Sequence, residues 1–337
     1  MLRTQIAALI VPTQPAAPVA VGKVDADPMA PIAGKSISSW LVDAALAASV
    51  RRIGIVAAAP SSAERSELAA RSDDALVEFI TPTNRVTETL LFAIERLGSE
   101  LTLRDSTNIL ILPAECPQIE GAELRSLVDR HIGSQAAATL LTPPPTEARS
   151  EPVVIRDAEG QIVSIADDVS TAPGIMCIRA PLLIPALHRT IAPRWQAGAP
   201  LAEIVGVLQE VGHPVDVVDR DEPIRSITSV ATRAPIETEL RDRVIQTWID
   251  RDVTMTDPRQ VSIDATVTIG KGVQLLPGTV LEGSTVIGDG AVIGPNSHIV
   301  DSTIGSRSTV PHSVVNGAEV PPRQQVRPFS VLSAVTR

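Results

Sequence analysis

The residue types that do most protein chemistry are thinly placed in this sequence. Cys116 and Cys177 lie far apart, and there is no Cys/His cluster around either. A zinc site is therefore not expected, and two cysteines make no disulfide framework. That usage suits a reducing compartment, so a cytoplasmic protein is expected. His131, His188 and His213 stand at the ends of helix-like segments and read as surface residues. His298 falls at a corner or outward position of the repeat described next, and His312 lies beside it. General acid–base work is not expected of either. Asp167 and Asp168 read as a solvated pair. After Glu319 no acid occurs, while Arg323, Arg327 and Arg337 do. That tail reads first as solvated surface and second as an anion-binding edge. The net charge of −10 is spread along the chain, and there is no Tyr, with three Trp and three Phe. Without a basic patch or stacking aromatics, nucleic acid is not an expected partner.

The strongest pattern is structural. Ile263, Ile269, Leu275, Leu281, Ile287, Ile293 and Ile299 recur every six residues, and Ile304 follows at five. Four residues after each of the seven comes a smaller side chain: Val267, Val273, Thr279, Thr285, Ala291, Ser297 and Thr303. Six is a multiple of two, so in extended chain all of these point to one face. Gly270, Gly288, Gly294 and Gly305 directly follow an aliphatic. Their freedom at positive φ would allow sharp corners. A hexapeptide period with corner glycines predicts a parallel β-helix. With three hexapeptides per coil, the stretch predicts somewhat over two coils, or three with the tail. Its ends need a cap or a partner.

Before the repeat, apolar runs alternate in type. Strands are predicted at 5–11, 52–57, 76–80, 108–112, 136–141, 174–178 and 215–218. Helices are predicted at 38–49, 63–72, 87–97, 120–132, 180–187 and 201–211. The run 152–156 and 161–166 flanks Asp157-Ala158-Glu159-Gly160, a hairpin turn. A helix at 238–252, with Leu240, Val244 and Trp248 spaced by four, leads to the repeat. This βαβα order predicts a mostly parallel, doubly wound sheet. Pro12 and Pro15 end the first apolar run early, so it reads as a strand and not a leader. No apolar run reaches about 20 residues, so no membrane span is expected.

Several local motifs now group together. They are Pro31-Ile32-Ala33-Gly34-Lys35, Leu112-Pro113-Ala114-Glu115-Cys116-Pro117, and the run from Arg243 through Trp248 to Val253-Thr254-Met255-Thr256-Asp257-Pro258. With the hexapeptides, they resemble the bifunctional bacterial UDP-N-acetylglucosamine pyrophosphorylase / glucosamine-1-phosphate acetyltransferase family. The resemblance implies a nucleotidyltransferase-like (GT-A/Rossmann-like) α/β domain over 1–235. A linking helix and connector would occupy 236–258, and a short left-handed parallel β-helix with its tail 259–337.

The activity so implied is uridylyl transfer from UTP to N-acetylglucosamine 1-phosphate, using Mg²⁺. By the same resemblance Glu115 and Thr228 fall at the metal positions. Asn84 and Thr87 fall at the nucleotide side, and Asp167 and Gly174 at the sugar side. Thr87 reads equally as a helix N-cap. The departures are concentrated at the phosphates. The family's L-A-A-G-x-G-T-R-M loop is replaced by Ile10-Val11-Pro12-Thr13-Gln14-Pro15, which loses glycines, an N–H and the Arg. The family's next lysine falls on Asp27, with Lys23 nearby as the one substitute. In Val326-Arg327-Pro328-Phe329-Ser330-Val331-Leu332-Ser333, the Arg residues of the acetyltransferase entry run are replaced by Val331 and Ser333. The chain then stops at Arg337, so acetyl transfer is not expected.

Three readings follow. One is a degenerate homologue acting by assembly or by binding a sugar nucleotide. Another is an active enzyme with a rebuilt phosphate site. The third is a scaffold whose β-helix pairs with an intact paralogue. The resemblance implies a homotrimer through 263–320. The alternative is a monomer whose tail, 321–337, folds back over the open end.

Overall fold

The computed structural model describes residues 5–12, 29–58, 60–70, 75–83, 86–100, 107–142, 154–156, 162–165, 174–190, 200–220 and 224–334. The chain divides into two compact units: 1–30 with 36–233, and 31–35 with 234–337.

The first unit is built on a seven-stranded sheet. Its order is Val215–Asp219, Ala138–Thr142, Met176–Arg179, Thr107–Pro113, Gln5–Val11, Arg52–Val56 and Leu76–Ile80. Only Met176–Arg179 runs antiparallel to its neighbours. Alternation along the central strands feeds two cores. Ala8, Ile10, Leu110 and Leu112 face Leu41, Val42, Leu124 and Leu127 on one side. Leu9, Val11, Ile109 and Ile111 face Leu90, Ile94, Leu183 and Ile204 on the other. Both faces are covered by helices, which is why these strands read as unbroken apolar runs. The strands Val154–Arg156 and Ile162–Ile165 pair antiparallel as the Asp157–Gly160 turn implies, though the turn itself lies outside the described residues.

His131 corrects the surface reading. It lies in the last turn of Gly121–Ser134, on the face that already carries Leu124, Leu127 and Val128, so the helix period buries it. Its Nδ1 lies 2.9 Å from Thr139 Oγ1 and its Nε2 3.1 Å from Asn108 Oδ1. Burial, then repulsion from Arg179, pushes its pKa from 6.5 down to about 4. The unfolded chain therefore takes up this proton more readily than the folded one. Stability is full above pH 6.5 and is lost as pH falls toward 4, by ~3 kcal/mol at the order-of-magnitude level. Urea midpoints measured from pH 7 to pH 4.5 should fall, and His131→Gln should flatten that slope. An unchanged slope in the variant would remove His131 as the cause.

The second unit is a parallel β-helix. Its faces are sheets of four, five and four strands, running from Thr254–Met255 to Val331–Ser333. That is about four coils, more than the sequence expectation. The later coils continue the frame with Val310, Val315, Val320 and Val326, all buried, at irregular spacings of five and six. Smaller side chains and slipped spacing hid them. The slip also corrects Thr303, which is exposed while Ser302 takes the inward position. The buried hydroxyls are satisfied at the turns: Thr285 Oγ1 donates to Glu282 O (2.6 Å), Ser302 Oγ to Val300 O (2.6 Å) and Ser313 Oγ to Pro311 O (2.7 Å).

The corner glycines need a second correction. Of the four, only Gly294 has positive φ, at 96°. Gly270, Gly288 and Gly305 are required by close packing, because a Cβ there would overlap the backbone of the next coil at Asp289, Ser306 and Pro322 respectively. The left-handed corners are Gly272, Gly278, Gly283 and Gly290 early on, and Asn296, Asp301, Arg307, His312, Gly317, Arg323 and Phe329 later. The tail does not fold back. Residues 321–333 stack as a further coil, with Val331–Ser333 paired parallel to Val314–Asn316.

The helix before the repeat spans Val230–Ile249, beginning earlier than its apolar spacing suggested. Pro235 removes one N–H but leaves a helical φ. Ser229 and Thr232 close the start: Thr232 N donates to Ser229 Oγ (3.2 Å), and Ser229 N to Thr232 Oγ1 (3.0 Å). Trp248 is buried, and Arg241 binds Asp264 Oδ1 at 3.2 Å beside the first coil. No helix among the described residues is long and apolar enough to cross a membrane.

Candidate functional site

In an open α/β sheet, ligands bind beyond the carboxyl ends of the parallel strands. Here those ends include Val11 and Pro113, which pair with each other. Ala114 N donates to Val11 O at 2.9 Å, which brings the segment 114–119 across the top of the first strand. That segment is held by a second one. Ile227 N donates to Glu115 O (2.9 Å), Gln118 Nε2 to Arg225 O (2.5 Å), and Cys116 Sγ lies 3.4 Å from Ser226 Oγ. The fold thus brings Glu115 and Thr228, distant in sequence, to adjacent backbone positions.

Their side chains differ sharply. Glu115 is 2% exposed. Thr228 is exposed, and it belongs to the cap of Val230–Ile249: its N donates to Thr232 Oγ1 at 2.9 Å and its Oγ1 lies 3.4 Å from the same atom. A hydroxyl held in a helix cap is not free to turn toward a metal, and Mg²⁺ asks for well-placed oxygen donors in near-octahedral array. Among the described residues no group of three or more His, Cys, Asp or Glu side chains converges to hold a metal ion. The described residues do not fit a Mg²⁺ site of the expected kind.

Arg220 and Glu123 form an ion pair near Cys116, with Arg220 almost fully enclosed. Sequence reasoning missed this pair, and their separation in the chain left no local signal. Burial pushes the Cys116 thiol up to about 12 and the Cys177 thiol up as well, so neither is a thiolate nucleophile near neutral pH.

The other expected positions are scattered. Thr87 lies within the first turn of Val86–Glu100, past the cap position expected for it. Gly174 precedes Met176–Arg179 with φ of 70°, so its backbone alone requires glycine. Asn84, Asp167, Asp168, Lys23 and Asp27 lie outside the described residues. The Pro31–Lys35 motif is a tight hairpin that groups with the second unit. Ala265 N donates to Ala33 O at 3.0 Å, and Gly34, at φ 87°, packs where a Cβ would overlap Asp264. His188 is exposed, and His213 is half-buried just past a helix end. His298 points outward to Glu282, with Nε2 2.7 Å from Oε2 and both side chains well exposed. His312 stacks on Phe329, their rings 5.3 Å apart.

Comparison with known proteins agrees with the motifs. Residues 266–301 match the bacterial transferase hexapeptide (six repeats) family. The chain is 32% identical over 241 residues to the bifunctional protein GlmU of Caldanaerobacter subterraneus subsp. tengcongensis, covering 66% of this chain and 53% of that protein. It is 33% identical over 235 residues to GlmU of Synechococcus elongatus, covering 67% and 52%. Against GlmU of a Geobacillus species the match is 25% over 312 residues, 89% of this chain and 66% of the relative. The resemblance read from the motifs is therefore borne out over most of the chain. The chain spans about half the length of the first two of these relatives.

Proposed function

We propose that this chain is a degenerate GlmU-like nucleotidyltransferase homologue that acts by assembly through its β-helix, with a sugar nucleotide as the ligand its first unit is shaped to accept. The observation that carries this reading is the backbone bond from Ile227 N to Glu115 O, which sets Thr228 next to Glu115 in the fold. The backbone geometry that would bring two metal ligands together is kept, while one of the two is a hydroxyl engaged in a helix cap. The sequence after the first strand points the same way. Pro12 and Pro15 stand where phosphate-binding N–H groups would be needed. Val331 and Ser333, in place of arginines, give no support to acetyl transfer.

The runner-up, an active enzyme with a rebuilt phosphate site, draws on the same junction, because Glu115 retains a carboxylate there. Calorimetric titration separates the two. UDP-GlcNAc should bind with a heat that does not depend on Mg²⁺. Mg²⁺-dependent UTP binding that disappears in Glu115→Ala would overturn the degenerate reading. Assembly is tested by light scattering: a homotrimer has three times the 35.5 kDa chain mass. A mass near a single chain at micromolar concentration rejects it. Co-purification of a longer homologue in fixed ratio would favour the paralogue scaffold instead.

A further inference from the structure

The corner that follows Thr268–Ile269, Val286–Ile287, Thr303–Ile304 and Glu319–Val320 changes residue type partway down the β-helix. Its left-handed residues in successive coils are Gly272, Gly290, Arg307 and Arg323. Backbone bonds stack it into one column: Gly290 N donates to Lys271 O, Arg307 N to Asp289 O and Arg323 N to Ser306 O, all at 2.8 Å. Glycine holds a left-handed φ without strain, and asparagine or aspartate, as at Asn296 and Asp301, offsets it with short local hydrogen bonds. Arginine does neither, yet Arg307 and Arg323 sit at φ 59° and 62°. Strain that recurs at one place is a pointer to function there. Both arginines are exposed, and among the described residues neither takes part in an ion pair. Neighbouring coils lie ~4.8 Å apart, so the two cations rise from adjacent steps of one edge. Asp289 is the one acid in the column, and its Oδ1 accepts from Lys271 N, in the coil before it, at 2.8 Å. After Glu319 the sequence has no acid. Both positions are firmly held. The stem of Arg307 lies over Gly290, where a Cβ would come within 3.4 Å of Arg307 Cγ. Arg323 follows Pro321-Pro322, whose rings fix the backbone, and Gly305 packs directly on Pro322.

We propose that Arg307 and Arg323 form an anion site for a tetrahedral phosphate dianion, either free or at the end of a phosphate monoester. A guanidinium grips an oxyanion through two parallel N–H donors. A phosphate dianion has several terminal oxygens, so it offers a separate edge to each arginine. A carboxylate has a single edge, which occupies one arginine and leaves the other unpaired. Two like charges on adjacent coils repel each other when no anion is bound. Binding therefore removes a repulsion and adds two attractions. The site uses no residue of the first unit and stands independently of the sugar-nucleotide reading.

The test is calorimetric titration of the full chain with inorganic phosphate at constant ionic strength. Arg307→Gly and Arg323→Gly each remove a cation and relieve the left-handed strain. Each should weaken phosphate binding at least ~10-fold. The urea midpoint in phosphate-free buffer should stay equal or rise, a combination that a purely structural arginine would not give. Arg327→Gln, exposed beyond Val326 and outside this column, should leave both readings unchanged. Acetate should bind at least ~10-fold more weakly than phosphate. Phenyl phosphate distinguishes the two sources: affinity equal to that of the free ion assigns the site to a phosphate carried on a larger molecule, and loss of binding assigns it to the free ion. No saturable phosphate binding, or binding that survives both glycine substitutions, overturns the proposal. A midpoint lowered in both variants would make the arginines structural and overturn it as well.

Discussion

Given UTP, N-acetylglucosamine 1-phosphate and Mg²⁺, the purified protein is expected to form UDP-GlcNAc at least ~10³-fold more slowly than ordinary enzymes of kcat ~1–10³ s⁻¹. Phosphoryl and nucleotidyl transfer depend on positioning and on groups aimed at the developing charge. Removing one such group typically costs ~10²–10³ in rate. Here the glycine loop, its arginine and the following lysine are all replaced, and Asp27 stands at the lysine position. These groups act as a unit, so their losses do not simply multiply. The loss of one accounts for ~10²–10³ of the expected slowing, and the others add to it. Glu115→Ala should leave whatever residual rate remains unchanged, since its would-be co-ligand Thr228 is held in a helix cap. Product formed at ordinary enzyme rates, and abolished by that substitution, would show that the missing groups have been replaced from elsewhere in the chain.

Gly288→Val is expected to destabilise the β-helix by ~3 kcal/mol or more, as overpacking against backbone does when neither side can retreat. A Cβ at this position would lie 2.6 Å from Ser306 N and 2.9 Å from Ile304 O. Gly288 N itself donates to Ile304 O at 2.7 Å, so coil spacing and side-chain room are coupled. Gly290→Ala is the matched control. Its φ of 67° carries strain, but the nearest atom to a new Cβ is Arg307 Cγ at 3.4 Å, the movable part of a side chain. Its cost should be ~1 kcal/mol. Guanidinium unfolding followed by circular dichroism would read both. Equal costs would mean that the glycines serve backbone freedom and not packing.

The corner glycines illustrate a general division. The period of six was legible because inward burial repeats with the backbone, and a strand alternates faces whatever surrounds it. Ile263 to Ile304 announce that core by type and spacing alone, and all eight aliphatics of the frame are buried. The doubly wound sheet was legible for the same reason, since strands covered on both faces must be apolar throughout. Where the next coil would touch Gly270, Gly288 and Gly305 was not legible, because contact between coils joins residues 16 to 19 positions apart and leaves no local mark. The last coils were hidden in a milder way, their valines and five-residue steps falling below the signal that Ile and Leu gave.

At the candidate site, local sequence supplied residue types and the family resemblance supplied their roles. Only the tertiary structure decided what those residues do. Glu115 and Thr228 meet because Ile227 N donates to Glu115 O, a bond between segments more than a hundred residues apart. Thr228 then serves Thr232 at a helix start, a choice set by the four residues around it once the helix is in place. His131 follows the same rule. Its place near a helix end suggested the surface, but the helix turns it toward Thr139 and Asn108, and burial sets its charge. Periodicity belongs to the chain and is written in it. Charge state, bonding partner and room for a Cβ belong to the neighbours, and folding alone brings those neighbours into place.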